Sequence, residues 1–290
     1  MLIQHSYNTL QVWIYYSLIA YGFYFASISC RHFNFTTALG FLAGPYVVLA
    51  TENLGPTAGV AVAFAVCFGL GFSYSHLSAW LIKKGAREGQ LLVISLAIMA
   101  VGENLVTMVF GNTSRSLWHF APRDLLIAFS WITVTRQQLV YFVVGATTLM
   151  LSLVLWRKAM IGIALRGLMD SRLNLILRGY NVQLLESLAA GSGFAIVGLA
   201  GILWSIDVRV RPPMSLEVDV IGVVTFIVGP MIARGLAGLI WASFAISMVK
   251  LLMVLGLQGD WGMTSSLVLL GIGLLFQRGK ITFHVGAAES

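Results

Sequence analysis

The sequence predicts an all-α, polytopic membrane protein of about eight to nine spans, some short and broken, arranged as an inverted repeat. Three observations carry this. Of 290 residues, 58% are hydrophobic and 10% charged, at a mean hydropathy of +0.88. A soluble fold of this length has no interior large enough for that much apolar surface. The apolar residues fall into long runs whose connecting loops alternate between basic and acidic. Two short runs carrying Gly-Pro stand in corresponding places in the two halves. Residues 1–290 therefore read as one transmembrane domain.

Taken in order, the apolar runs are 12–29, 38–49, 57–82, 91–109, 139–156, 188–206, 218–229, 236–257 and 264–276. Residues 1–8 hold no Lys or Arg, so the first run is expected to be a retained span and not a cleaved leader. A crossing helix needs roughly 20 residues. The short runs 38–49, 218–229 and 264–276 are thus expected to be broken or re-entrant helices, or spans completed by polar neighbours buried in protein. Arg31 and His32, then Lys83, Lys84 and Arg87, then the segment 157–187, then Arg234, and finally Arg278 and Lys280 mark one side. Glu52, then Asp207, Glu217 and Asp219 around Arg209 and Arg211, and Asp260 mark the other. Lys and Arg resist translocation, so the N-terminus is expected outside and the C-terminus in the cytoplasm. One loop breaks the pattern: 111–138 carries Arg115, Arg123 and Arg136 against Asp124. With Trp118, Phe120, Pro122 and Trp131, it is expected to form an interfacial helix.

The longest polar interruption is 157–187. Within it Leu168, Leu173, Ile176 and Leu177 recur at helical spacing, which predicts a short amphipathic helix over 168–177. Gly179 stands where such a helix would be capped, with Arg178 in its last turn. A cytoplasmic helix in a transport-like chain reads as a docking surface for a soluble engine.

The internal repeat pairs Phe41-Leu42-Ala43-Gly44-Pro45 with Phe226-Ile227-Val228-Gly229-Pro230. Proline removes a backbone donor and interrupts a helix. Matched Gly/Pro segments in oppositely directed spans point to a transport pathway through Gly44, Pro45, Gly229 and Pro230. The plainer reading is a pair of kinked lipid-facing helices. Two charges fall inside spans, Glu103 and Lys250, about two-thirds along outward-running segments. They either pair, line a hydrated cavity, or reach separately toward the interface. Asn104 is a pore residue or a hydrogen-bonding partner for a neighbouring helix. Small-residue rows at Gly40 and Gly44, at Gly55 and Gly59, and at Gly191, Gly193, Gly198 and Gly201 allow close helix packing. Trp118, Trp204, Trp241 and Trp261 read as interfacial anchors. Cys30 and Cys67 read as small packing residues.

No Ser/His/Asp order, metal-ligand spacing or HExxH is present, and Lys280 lacks the upstream glycine of a phosphate-binding loop. The chain reads as no enzyme, and if its work is ATP-driven the ATPase is another chain. The net charge of +7 is spread over loops, which argues against nucleic acid as a partner.

Three stretches carry a family resemblance. Phe33-Asn34-Phe35 is similar to the Asn-Phe-Ala-His-Gly segment of the permease subunits of bacterial ABC importers for branched-chain amino acids and their urea or amide relatives. Leu91 to Leu96, running on to Val109-Phe110-Gly111, resembles their fourth span. Ile161-Gly162 to Val182, followed by Ala189 to Leu203, resembles their G-x-A-x-R-A…L-G-I-x-V…A-G-x-L core. The chain departs at Thr37-Ala38, where the family has His-Gly. It departs again at Gly229-Pro230, with Arg234-Gly235 after it, where the family has Gly-Gly-x-Gly-Ser.

The resemblance implies a bacterial inner-membrane permease subunit without cofactors of its own. It implies a second permease subunit, the same or different, two cytoplasmic ATPase subunits that hold ATP and Mg²⁺, a periplasmic solute-binding protein, and surrounding lipid. It implies that the 168–177 helix is the coupling helix, with Arg166, Asp170, Arg172, Asn174 and Gly179 contributing to docking. Asn34 joins the expected pathway residues on the same basis. Two other readings stay open: a gradient-driven secondary transporter using Glu103, and a non-transporting membrane scaffold.

Overall fold

The computed structural model describes residues 2–30, 32–117, 125–129, 132–233, 235–257 and 267–268. Ten helices are formed among them: α1 Leu2–Cys30, α2 Ala38–Ala50, α3 Pro56–Lys83, α4 Glu88–Phe110, α5 Arg136–Lys158, α6 Met160–Asp170, α7 Arg172–Leu177, α8 Val182–Asp207, α9 Met214–Ile232 and α10 Leu236–Leu257. Six of these, α3, α4, α5, α8, α9 and α10, are long and apolar enough to cross a membrane. Helix α1 is longer still but rich in tyrosine, and α2 is short. The expected span 264–276 apart from 267–268, the anchors Trp118 and Trp261, and Arg234 lie outside the described residues.

Helix α8 is the axis. Between helices in lipid no hydrophobic force operates, so close backbone packing through small residues holds them together. The glycines of α8 serve that purpose. A Cβ on Gly44 of α2 would strike the Gly198 backbone, and one on Gly40 would lie 2.7 Å from the Phe194 carbonyl. Gly193 meets the Gly22 carbonyl of α1 at 2.5 Å by the same measure, and Gly71 of α3 meets that of Ala190. Cys67 packs against the α2 backbone, its Sγ 3.6 Å from the Gly40 carbonyl, as a small packing residue should. These pairings set direction: α2 runs parallel to α8, and α1 and α3 run antiparallel to it.

Both proline-bearing helices are continuous, which corrects the expectation of broken segments. Pro45 lies inside α2 and Pro230 inside α9. Pro45 cannot donate to the Phe41 carbonyl, and Gly201 brings α8 directly against that carbonyl. The helix is supported from outside where its own ladder lacks a bond. Helix α9 also starts four residues before the expected span, because Pro212-Pro213 ends the preceding turn and Pro213 caps the helix.

The loop after α4 is the second correction. Where an interfacial helix was expected, Leu125–Phe129 (β1) and Ile132–Thr135 (β2) pair as an antiparallel hairpin with a bulge between Leu125 and Ile127. Alternating β-branched residues at Ile132, Thr133, Val134 and Thr135 favour extended backbone over helix. Thr133 N–H donates to Gln4 Oε1 at 2.8 Å, tying β2 to the start of α1. Arg115 and Val210 exchange backbone hydrogen bonds of 2.8 and 2.7 Å, tying this loop to the α8–α9 turn. The N-terminus, the hairpin and the α8–α9 turn therefore share one end of the bundle. At the opposite end, Phe25 and Ile28 of α1, Trp156 of α5, Leu165 and Leu168 of α6, Leu175 of α7 and Leu236 of α10 share one apolar cluster. That end also carries Arg157, Lys158, Arg166, Arg172 and Arg178.

Candidate functional site

Two places in the fold bring charged side chains together. The first is the basic end. Helix α5 stops at Ala159, which is extended, and α6 leaves at an angle with Ala164, Leu165 and Leu168 buried and Met160, Ile163 and Met169 exposed. The expected single helix 168–177 is split. Ser171 is extended, and its hydroxyl accepts the Asn174 N–H at 3.3 Å, so it ends α6 and caps α7. A side chain that competes with the helical ladder favours a cap over a helix interior, which is why the break falls at a serine.

At the far end of α7, Gly179 N–H donates to Ile176 O at 2.9 Å and Tyr180 N–H to Leu175 O at 3.1 Å. Those two bonds, with Gly179 at φ +80°, make a Schellman cap. Alanine at position 179 is expected to cost about 1 kcal/mol, because its Cβ clashes in the left-handed region. The same change at Gly89, in the first turn of α4 with open space around it, should not destabilise. Comparing the two variants by hydrogen exchange over α7 checks this.

The expected docking residues make the following contacts within the chain. Arg166 donates to the Gly162 and Arg157 carbonyls, at 3.4 and 3.2 Å, and so caps the end of α5. Arg172 pairs with Glu186 of α8, which is buried, and so ties α7 to the bundle. Asp170 and Asn174 face outward. A cleft of 380 Å³ lies between α6 and α7, with Arg166, Asp170, Arg178 and Tyr180 around an apolar floor of Ala164 and Leu175. Beside it Leu173, Ile176 and Leu177 are exposed, Leu177 at 75%.

The second place is inside the bundle. Glu103 on α4 accepts a hydrogen bond from Ser215 Oγ on α9. One turn on, Asp219 is 1% exposed, and Glu103 acts on it electrostatically. Among the described residues neither Asp219 oxygen receives a hydrogen bond. The Lys250 ammonium lies 5.8 Å over the Trp204 ring. Trp204 is itself buried, in contact with Tyr15 and Phe41, and is no interfacial anchor. Trp204 also helps line a cavity about the size of one water, with Tyr16, Phe41, Glu217 and Val218.

The remaining expected pathway residues scatter. Asn34 is fully buried and accepts the Thr36 N–H at 3.0 Å, capping the turn Phe35–Thr37 that Ser95 holds against α4. Gly44 and Pro45 lie in the α2–α8 packing seam. Gly229 is buried against Gly238 and Leu239, while Pro230 beside it is exposed. Asn104 is exposed and satisfied by the Ala100 carbonyl of its own helix, at 2.8 Å. Sequence reasoning counted Asp219, the second residue of the expected span 218–229, among the end charges and passed over Ser215. The available signal was Pro212-Pro213, which moves the helix start upstream and carries both residues inside.

Residues 7–276 match the family model described as branched-chain amino acid transport system / permease component. Among solved structures, a chain of PsaBC from Streptococcus pneumoniae in complex with Fab is similar in fold, with a TM-score of 0.52 and 14% identity. The match covers 95% of this chain and 90% of that one. No curated protein sequence matches the chain.

Proposed function

The chain belongs to the branched-chain amino acid transport permease family, and on that premise we propose that it forms half of the translocation path of an ATP-driven importer. Its solute is a branched-chain or other hydrophobic amino acid, or a related small solute such as urea or an amide. It sits in a bacterial inner membrane with the α5–α7 end in the cytoplasm, which the gathering of Arg157, Lys158, Arg166, Arg172 and Arg178 at that end supports. A second permease subunit completes the path, two ATPase subunits with ATP and Mg²⁺ drive it, and a periplasmic binding protein delivers the solute.

The observation that carries this reading is the α6–α7 pair. It is a rigid elbow, capped at Ser171 and Gly179 and pinned by Arg172 to Glu186, yet it leaves Leu173, Ile176 and Leu177 exposed beside a cleft. An amphipathic helix laid in a groove reads through such anchors. Closure of the ATPases would push on this elbow, and the pinning would pass the motion to α8, the axis of the bundle. Asp170, Asn174 and Arg178 supply polar contacts around the apolar tip, while Arg166 and Arg172 position the elbow and Gly179 shapes its cap.

The test is uptake of labelled leucine and labelled urea by cells with and without the chain. We expect uptake of one solute to require the chain, to fall on ATP depletion, and to survive a protonophore while ATP is maintained. Uptake that collapses with the protonophore instead would transfer the account to a gradient-driven transporter. No chain-dependent uptake of either solute would remove both.

A further inference from the structure

In the Glu103–Ser215–Asp219 cluster, Asp219 has no hydrogen-bonding partner among the described residues. A buried carboxylate without a partner costs several kcal/mol of desolvation, and a second carboxylate nearby adds repulsion. Membrane-embedded acids persist where they meet a cation, a proton or a substrate. Here α4 and α9 together bring two carboxyl groups and a hydroxyl to one place, with one turn between Ser215 and Asp219. Ser215 gives its hydrogen to Glu103, so what remains is a set of acceptors only: both Asp219 oxygens, the second Glu103 oxygen and the serine lone pairs.

That set discriminates among cations. Among the described residues no group of three His, Cys, Asp or Glu is placed to hold a metal ion. A primary ammonium group carries three donors and one positive charge, which matches acceptors on two helices. The surroundings are apolar: Met99 and Val106 lie one turn to either side of Glu103, and Val218 and Val223 flank Asp219. An ammonium attached to an aliphatic body fits both halves of this environment.

We propose that Asp219, with Glu103 and Ser215, binds the primary ammonium group of the transported amino acid. This rests on the amino-acid reading above and selects the amino acid over urea, which has no cationic group. Asp219 supplies the counter-charge, Glu103 the second acceptor, and Ser215 fixes the Glu103 rotamer.

The test uses the full chain in lipid nanodiscs with a hydrophobic carbodiimide, which modifies buried carboxyl groups. Adducts on Asp219 and Glu103 are followed by mass spectrometry. The probes are leucine, isopentylamine and 4-methylpentanoate. At ten times the half-protecting concentration, leucine and isopentylamine should each slow modification about tenfold, and the acid should not. In Asp219→Asn, half-protection of Glu103 should need about 30-fold more amine. Ser215→Ala, which keeps both carboxyl groups, should weaken protection in the same direction.

Modification that responds to pH and to neither amine would leave a proton as the sole occupant and overturn the proposal. Equal protection by 4-methylpentanoate would also overturn it. The uptake experiment reads separately: leucine uptake without amine protection removes this site and keeps the transporter. Protection by isopentylamine without leucine uptake keeps an amine site and removes the amino-acid transport reading.

Discussion

Replacing Gly198 with leucine is expected to take apart the centre of the bundle, at a cost of about 3 kcal/mol. Position 198 is where α2 and α3 both close on α8. A Cβ there would lie 2.5 Å from Cys67 Sγ and 3.2 Å from the Gly40 carbonyl, and the Gly198 backbone itself receives Gly44. The carbonyl cannot move without dragging α2, which Pro45 has already deprived of one internal bond. In lipid the lost contacts are not replaced by a hydrophobic driving force. Thermal melting in mild detergent reads the effect. Gly69→Leu on α3 is the control: open space surrounds Gly69, so its melting point should stay near the parent. Equal losses at 198 and 69 would mean that the seam does not hold the fold.

Arg172→Glu is expected to release α7 from the bundle. Glu186 is buried, and removing its cation leaves an uncompensated charge, worth about 3 kcal/mol; an acidic side chain in its place adds repulsion. Hydrogen exchange over 172–177 should rise by about two orders of magnitude as that segment opens. The double variant Arg172→Glu with Glu186→Arg restores opposite charges across the same gap and should recover most of the protection. If Arg172→Glu keeps the parent's protection, the ion pair does not pin the elbow. The consequence for function is specific. A defect in Arg172→Glu reports on the seating of α7, whereas defects at Asn174 or Leu177, which face outward, report on contact with a partner.

The apolar helices were legible because lipid imposes one simple requirement, a long run of apolar residues, and charges mark its ends. Helices α3, α4, α5, α8 and α10 follow directly from that pattern. What was not legible depends on what a residue meets after folding. Ser171 could continue a helix or cap one, and only the packing of Leu168 and Leu175 into the same cluster decides for the cap. For Arg166 and Arg172 only a docking role was legible, because their partners within the chain, the Arg157 carbonyl and Glu186, are supplied by other elements. Asp219, second in the expected span 218–229, read as a solvated end charge; here Pro213 starts the helix early enough to set it more than a turn inside. Gly44 and Pro45 were legible as a pair, and their place in the α2–α8 seam follows from which face of α2 meets Gly198.

The most direct test of the account is site-specific crosslinking from the α6–α7 elbow. Single cysteines at Asn174 and Leu177, with a control at Val101 on the exposed face of α4, would be crosslinked in native membranes with a short bifunctional reagent. Partners would be identified by mass spectrometry. The account predicts a P-loop ATPase chain attached at 174 and 177 and absent at 101. ATPase attachment at none of these positions, in membranes where the chain supports leucine uptake, would contradict it.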